Sequence, residues 1–183
     1  MSNPVISVVI TTRNRRDELH RALKSCFSQT GVSYEVLVFD DASDDGTDSM
    51  VREEFPRCRL IRSHERAGLI VRRSQSFHEA SGEFVLSLDD DAYFTHPETL
   101  AMVCQLFARE PKTAAWGLKY YEPAKAAKMP TLADGALIKC YIGCAHALRR
   151  EVARDLGGYP DFLVHQGEER DLCIRLMDKG WEI

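Results

Sequence analysis

Acidic side chains stand in two tight groups, Asp40-Asp41 continuing into Ala42-Ser43-Asp44-Asp45-Gly46, and Asp89-Asp90-Asp91. Adjacent carboxylates repel one another unless a cation or hydrogen-bond donors fill the space between them. A hard divalent ion with oxygen ligands is an economical filling, and Mg2+ or Mn2+ arrives with substrate phosphates completing its shell. A solvated acidic turn is the simpler alternative, because Asp is common in turns. The stretch Asp41–Gly46 resembles the start of a calcium loop but fails at its twelfth position, where Arg52 replaces the required Glu, and an apolar strand-like run precedes it. Glu168-Glu169-Arg170-Asp171 opens a helical stretch: the glutamates could supply a general base, or could only complement the helix dipole. Arg72 and Arg73 lie near the start of the helix leading back toward Asp89, where one could turn toward a diphosphate; for either alone a solvated helix face is the plainer reading. Glycine-rich phosphate loops, dinucleotide fingerprints, the Gly-x-Ser-x-Gly elbow and His-Glu-x-x-His are all missing from the sequence. Phosphate must then be held another way, and a metal does that.

The elements that would position these residues alternate. Val5–Ile10, Glu35–Phe39, Cys58–Ile61 and Glu83–Leu88 are apolar runs of strand length, the second and fourth ending in the two acidic groups. Between them Leu19, Ala22, Leu23, Cys26 and Phe27, then Met50, Val51 and Phe55, then Leu69, Ile70, Ser74, Phe77 and Ala80 recur at helical spacing, the last stretch closed by Gly82. Thr95-His96-Pro97-Glu98 reads as a capping box with Pro early in the helix that buries Leu100, Val103, Cys104 and Phe107. Strands separated by helices imply right-handed crossovers and an α/β fold with a mostly parallel sheet. In such sheets ligands bind outside the carboxyl ends of the strands, so both acidic groups are expected to line one crevice. Beyond Thr113 the pattern loosens: Ala114–Tyr121 and Leu137–Leu148 are expected as strands, Glu122–Pro130 as a loop, and Glu151–Leu156 and Glu168–Lys179 as helices. Trp181-Glu182-Ile183 reads as the opening of another strand, which suggests a chain cut short.

Composition narrows the function classes. The 183 residues carry 24 Lys+Arg against 28 Asp+Glu, a formal charge of -4, and 44% hydrophobic residues. That suits one domain, 1-183, with a core of its own, and leaves no positive excess for nucleic-acid binding. No apolar run approaches the roughly 18 residues that span a bilayer, and no basic segment opens a signal peptide, so a cytoplasmic protein, at most peripheral to the inner face of a membrane, is expected. The six cysteines sit mostly in apolar segments and read as reduced thiols; Cys140 and Cys144 lack further metal ligands nearby. The six histidines show no ligand spacing.

Ile6–Asn14, Val38-Phe39-Asp40-Asp41-Ala42-Ser43-Asp44-Asp45-Gly46-Thr47, Gly68–Ser74 with Ala80–Phe84, Leu88-Asp89-Asp90-Asp91 and Glu168-Glu169-Arg170-Asp171-Leu172 stand in order along the chain. Together they resemble the nucleotide-sugar glycosyltransferases of family-2 type, which have the GT-A fold. The resemblance implies a nucleotide-sugar half over 1-95 and an acceptor-side half over 96-183. It implies that Thr11, Arg13 and Asp41 surround base and ribose, that Arg73 contacts the nucleotide, and that Asp90 lies by the ribose or sugar. Asp91, helped by Asp89, would coordinate Mn2+ or Mg2+, and Glu169 falls where the family's catalytic base stands. Glu169 replaces the commoner Asp, Ser74 replaces Asn, and a downstream element that often completes the site lies beyond the chain. The implied activity is metal-dependent, inverting transfer of a sugar from a UDP- or dTDP-sugar to a carbohydrate or lipid-linked acceptor, in cell-surface polysaccharide or glycoconjugate synthesis. The competing readings are a nucleotide-sugar-binding module without catalysis, and a phosphoacceptor receiver-like domain, which the second acidic group and the long tail disfavour.

Overall fold

The computed structural model describes residues 4–121, 135–164 and 166–183. Six strands, β1 (Ile6–Thr12), β2 (Tyr34–Asp41), β3 (Arg59–Ser63), β4 (Phe84–Asp89), β5 (Ala115–Gly117) and β6 (Ala145–Arg149), form one sheet in the order β3-β2-β1-β4-β6-β5. The four left-hand strands are parallel; β6 adds antiparallel to β4, and β5 adds antiparallel to β6, so that β5 runs in the direction of the first four. Helices α1 (Arg16–Phe27), α2 (Thr47–Glu54), α3 (Leu69–Glu79), α4 (Thr99–Arg109), α5 (Arg150–Asp155) and α6 (Glu168–Asp178) flank it.

Side chains alternate across each strand, so a parallel strand with both faces covered is apolar nearly throughout. Ile6, Val8 and Ile10 of β1, with Val36 and Val38 of β2 and Leu86 of β4, pack under α1, α2 and α4. Val9, Leu37, Phe39 and Val85 point the other way, onto α3, α5 and α6. The chain runs β1 to β2 to β3 on one side and then returns to place β4 on the other side of β1. The loops after β1 and β4 therefore part at a topological switch point, which leaves a crevice beyond their carboxyl ends.

Three expectations change. Helix α4 begins at Thr99, outside the supposed capping box, with Glu98 making no side-chain cap. Its cap is tertiary: Gln29, from the turn after α1, accepts from the Leu100 amide at 3.2 Å while its Nε2 donates to the His96 carbonyl at 2.8 Å. Pro97 stays outside the helix, its carbonyl accepting from the Thr30 amide at 2.7 Å. The strands expected over 114–121 and 137–148 shrink to Ala115–Gly117 and Ala145–Arg149; in the second, the Gly143 carbonyl accepts from side chains instead of a sheet ladder. The loop expected over Glu122–Pro130 lies outside the described residues. Trp181–Ile183 adds a parallel bridge between Glu182 and Thr113, and Ile183 is buried. All six thiols are free, with Cys26 and Cys173 buried.

Candidate active site

The three aspartates at the end of β4 diverge. Asp90 turns toward β1, where its Oδ2 accepts from Thr12 Oγ1 at 2.8 Å and its Oδ1 lies 3.3 Å from Arg15 Nε. Burial pushes its carboxyl up to about 6, against the pull of that hydroxyl and of Arg15. Asp91 points outward, its side chain 53% exposed, with Oδ2 accepting from Arg15 at 2.8 Å. Asp89 turns toward α3 and accepts from Arg73. Guanidinium groups thus lie between carboxylates, and the charge of Asp91 still raises the proton affinity of Asp89 and Asp90. Among the described residues no three His, Cys, Asp or Glu side chains converge into a metal cage. The donor chemistry nevertheless fits a hard cation. Asp91 is half-exposed and Asp89 lines the crevice, and Mg2+ commonly takes only one or two carboxylates when phosphates supply the rest.

The first acidic group is arranged differently. Asp41, at the end of β2, accepts from the Ala67 and Gly68 amides at 2.8 and 2.9 Å and from Arg72 Nε at 2.8 Å. Burial pushes its carboxyl up, but these donors outweigh that and hold it below the usual carboxylate range. Asp40 is fully buried: its Oδ1 accepts from the Ser43 amide at 2.9 Å, and its Oδ2 has no hydrogen-bond partner among the described residues. Thr11 carries a buried hydroxyl that is likewise unpartnered among the described residues, while Arg13 is exposed.

Arg73 has neighbours other than those the resemblance implies. Its side chain is only 5% exposed and reaches four groups: Asp89, the Gly143 carbonyl at 3.0 Å, Glu168 Oε1 at 3.2 Å and Glu169 Oε1 at 3.5 Å. Glu168 is buried, with Oε2 unpartnered among the described residues, and Glu169 is the more exposed of the two; both line the cleft. Burial first, and then the neighbouring Glu168, raises the Glu169 carboxyl above its ordinary value. A cleft of about 430 Å³ opens here, with Arg73, Asp89 and Glu169 along its polar side and Leu69, Ile142 and Val164 at its apolar rim. The end of β4 and the start of α6 therefore face one space. That space also contains the buried guanidinium.

Residues 7–157 match the description Glycosyl transferase family 2. The chain belongs to this family. The matched span includes both acidic groups and Arg73 and stops before α6. An uncharacterised glycosyltransferase of Haemophilus influenzae is 29% identical over 121 residues, 66% of this chain and 39% of that protein. The GalNAc(5)-diNAcBac-PP-undecaprenol beta-1,3-glucosyltransferase of Campylobacter jejuni is 35% identical over 92 residues, 48% of this chain and 30% of that protein. The chain thus spans well under half the length of these relatives. Among solved structures, the mannosyltransferase PcManGT of Pyrobaculum calidifontis, in complex with GDP-Man and Mn2+, superimposes with a TM-score of 0.81 at 24% identity, over 100% of this chain and 54% of that one. TarS of S. aureus in complex with UDP-GlcNAc gives 0.73 at 19% identity, over 93% of this chain and 52% of that one. These likenesses show the GT-A fold of a family-2 domain.

Within that fold, several site features left no trace in local pattern. Arg15, bridging Asp90 and Asp91, follows Arg13 and precedes Arg16 in a polar turn that singles out none of them. His146 is fully buried behind the cleft, its Nε2 2.8 Å from Tyr159 Oη, which lies 3.0 Å from Tyr141 Oη. Neither that network nor Gly143 has a spacing signal, because each depends on which segments meet in space.

Proposed function

We propose that this family-2 domain transfers a sugar from a nucleotide diphosphate sugar to an acceptor hydroxyl, with metal dependence and inversion at the sugar carbon. The observation that carries the reading is the meeting of Asp89 and Glu169 across one cleft, two carboxylates from opposite halves of the chain. Glu169 suits a general base: it is partly buried, its proton affinity is raised, and it faces open space. In this reading it removes the acceptor hydroxyl proton as the oxygen attacks the sugar. Single displacement then follows, without the carboxylate nucleophile of a retaining glycosidase. Asp91 and Asp89 would hold Mn2+ or Mg2+, which when bound stabilises negative charge on the leaving diphosphate. Thr11, Arg13 and Asp41 would border the base and ribose, and Asp90 the ribose or sugar.

The bound GDP-Man with Mn2+ and UDP-GlcNAc named for the two structural neighbours support this donor class. UDP- and dTDP-sugars are the first donors to try, with GDP-sugars beside them. A carbohydrate or lipid-linked acceptor in surface polysaccharide synthesis, at the cytoplasmic face of a membrane, completes the reading. No helix among the described residues is long and apolar enough to cross a membrane.

The test follows nucleoside diphosphate release from a panel of UDP-, dTDP- and GDP-sugars with Mn2+, and donor binding by calorimetry. Glu169→Gln should lower kcat by about 10²–10⁴-fold with donor affinity nearly unchanged, and Glu168→Gln should do less. Equal small effects would remove Glu169 from the role. Binding without turnover in the unmodified protein would select a nucleotide-sugar-binding module instead.

A further inference from the structure

We infer that Arg73 is a positioning residue for Glu169, holding the base from the donor side of the cleft, and that Gly143 is the residue that leaves room for that contact. This rests on the reading of Glu169 as the base. Arg73 lies on α3 and is buried, yet it contacts carboxylates on two elements: Asp89 at the end of β4, and Glu168 and Glu169 at the start of α6. Its Nη1 serves the two glutamates, while its Nη2 serves Asp89 and the Gly143 carbonyl. A planar fork of fixed donors can make this division; the single ammonium of a lysine cannot. With its donors so engaged, Arg73 acts on the reaction through Glu169 and not by reading the nucleotide.

Gly143 completes the arrangement by having no side chain. A Cβ built there would lie 2.1 Å from Glu169 Oε1 and 3.0 Å from Arg73 Nη1. Its φ lies outside the left-handed region, so the demand for glycine is steric. The Gly143 carbonyl is fixed from behind by His146 Nδ1 at 3.2 Å. A carbonyl only accepts, so Nδ1 carries the proton, Nε2 accepts from Tyr159, and Tyr141 donates to Tyr159. Burial, aided by Arg73, pushes His146 down to about 3, in keeping with this neutral tautomer. A buried chain of hydrogen bonds therefore fixes the segment against which Arg73 and Glu169 pack.

The experiment compares Arg73→Lys, Gly143→Ala, Glu169→Asp and the double variant Gly143→Ala/Glu169→Asp, reading kcat for nucleoside diphosphate release separately from donor affinity. Displacing a reacting group by about 1 Å costs on the order of 10²-fold, so Arg73→Lys and Gly143→Ala should each lower kcat by about that factor with donor affinity little changed. Shortening the base by one methylene relieves the clash, so the double variant should recover at least about tenfold over Gly143→Ala; a merely structural role for Gly143 predicts no such rescue. Loss of donor affinity with unchanged kcat in Arg73→Lys would make Arg73 a nucleotide contact and overturn the inference. Unchanged kcat in Gly143→Ala, or no recovery in the double variant, would overturn it as well. Glu169→Gln, measured alongside, separates the two levels. Full turnover there removes the base reading itself, whereas an inactive Glu169→Gln beside an unaffected Gly143→Ala overturns only the positioning role.

Discussion

Asp90 and Asp41 are both buried aspartates at strand ends, yet their surroundings move their proton affinities in opposite directions. Asp90 has one hydroxyl donor and a half-exposed arginine against its burial, and its carboxyl rises to about 6. Ionising it therefore costs stability: its contribution is most favourable below about 4, the ordinary carboxylate value, and is lost as pH rises through 6. Asp90→Asn keeps an acceptor for Thr12 and removes that cost. In EDTA it should be more stable than the unmodified protein at pH 7 by on the order of 2–3 kcal/mol, the gain fading toward pH 4. A pH-independent difference in thermal midpoint would contradict this. Asp41, held low by two amides and Arg72, contributes stability above the ordinary carboxylate value that is lost as pH falls through its lowered one. Asp41→Ala should cost about 1–3 kcal/mol, because the Ala67 and Gly68 amides lose their acceptor. It should also weaken binding of a nucleoside monophosphate in EDTA. Unchanged metal-free binding would confine Asp41 to bracing the segment before α3.

Gly82 shows how closely the elements approach. It follows α3 and precedes β4, and a Cβ there would lie 2.8 Å from the Ser7 amide nitrogen and 2.9 Å from the Ile6 carbonyl carbon, backbone atoms of β1 that have nowhere to go. Gly82→Ala should lower stability by about 1–3 kcal/mol, seen as a reduced urea midpoint with an unchanged slope. Cooperative unfolding at the unmodified midpoint would contradict it. In the sequence Gly82 was legible as a helix end; that it sits against β1 was not. The same division runs through the molecule. Strands β1, β2 and β4 announce themselves because a doubly covered parallel strand is a nearly continuous apolar run, and the acids at the ends of β2 and β4 are adjacent in the chain. The cap on α4 could not be read, since Gln29 lies 71 residues from the amide it accepts from. The run Leu137–Leu148 is apolar enough to pass for one strand, but part of it wraps the cleft, where Tyr141 is buried and Gly143 turns its carbonyl to Arg73. At the site the carboxylates were legible and their partners were not. Arg73 meets Glu168 across 95 residues, and no periodicity encodes such a meeting.

At the scale of the whole molecule, the sheet order leaves the ends of β1, β2 and β4 on one side and brings α6 to face them, so a donor held at the strand ends would present its sugar toward Glu169. The central claim is that this crevice binds a nucleotide diphosphate through its strand-end carboxylates and a divalent cation. Ligand binding raises apparent stability by mass action, about 2.7 kcal/mol at a hundred times Kd. The most direct measurement is calorimetric titration of the protein with UDP, dTDP and GDP, each with Mn2+ and with EDTA, beside Asp91→Asn. Saturable binding of at least one of them that is markedly stronger with Mn2+, and that loses the metal-dependent part in Asp91→Asn while the variant keeps its thermal midpoint in EDTA, is the predicted result. Binding that is absent for all three, or equally strong in EDTA, or untouched by Asp91→Asn, would contradict the claim.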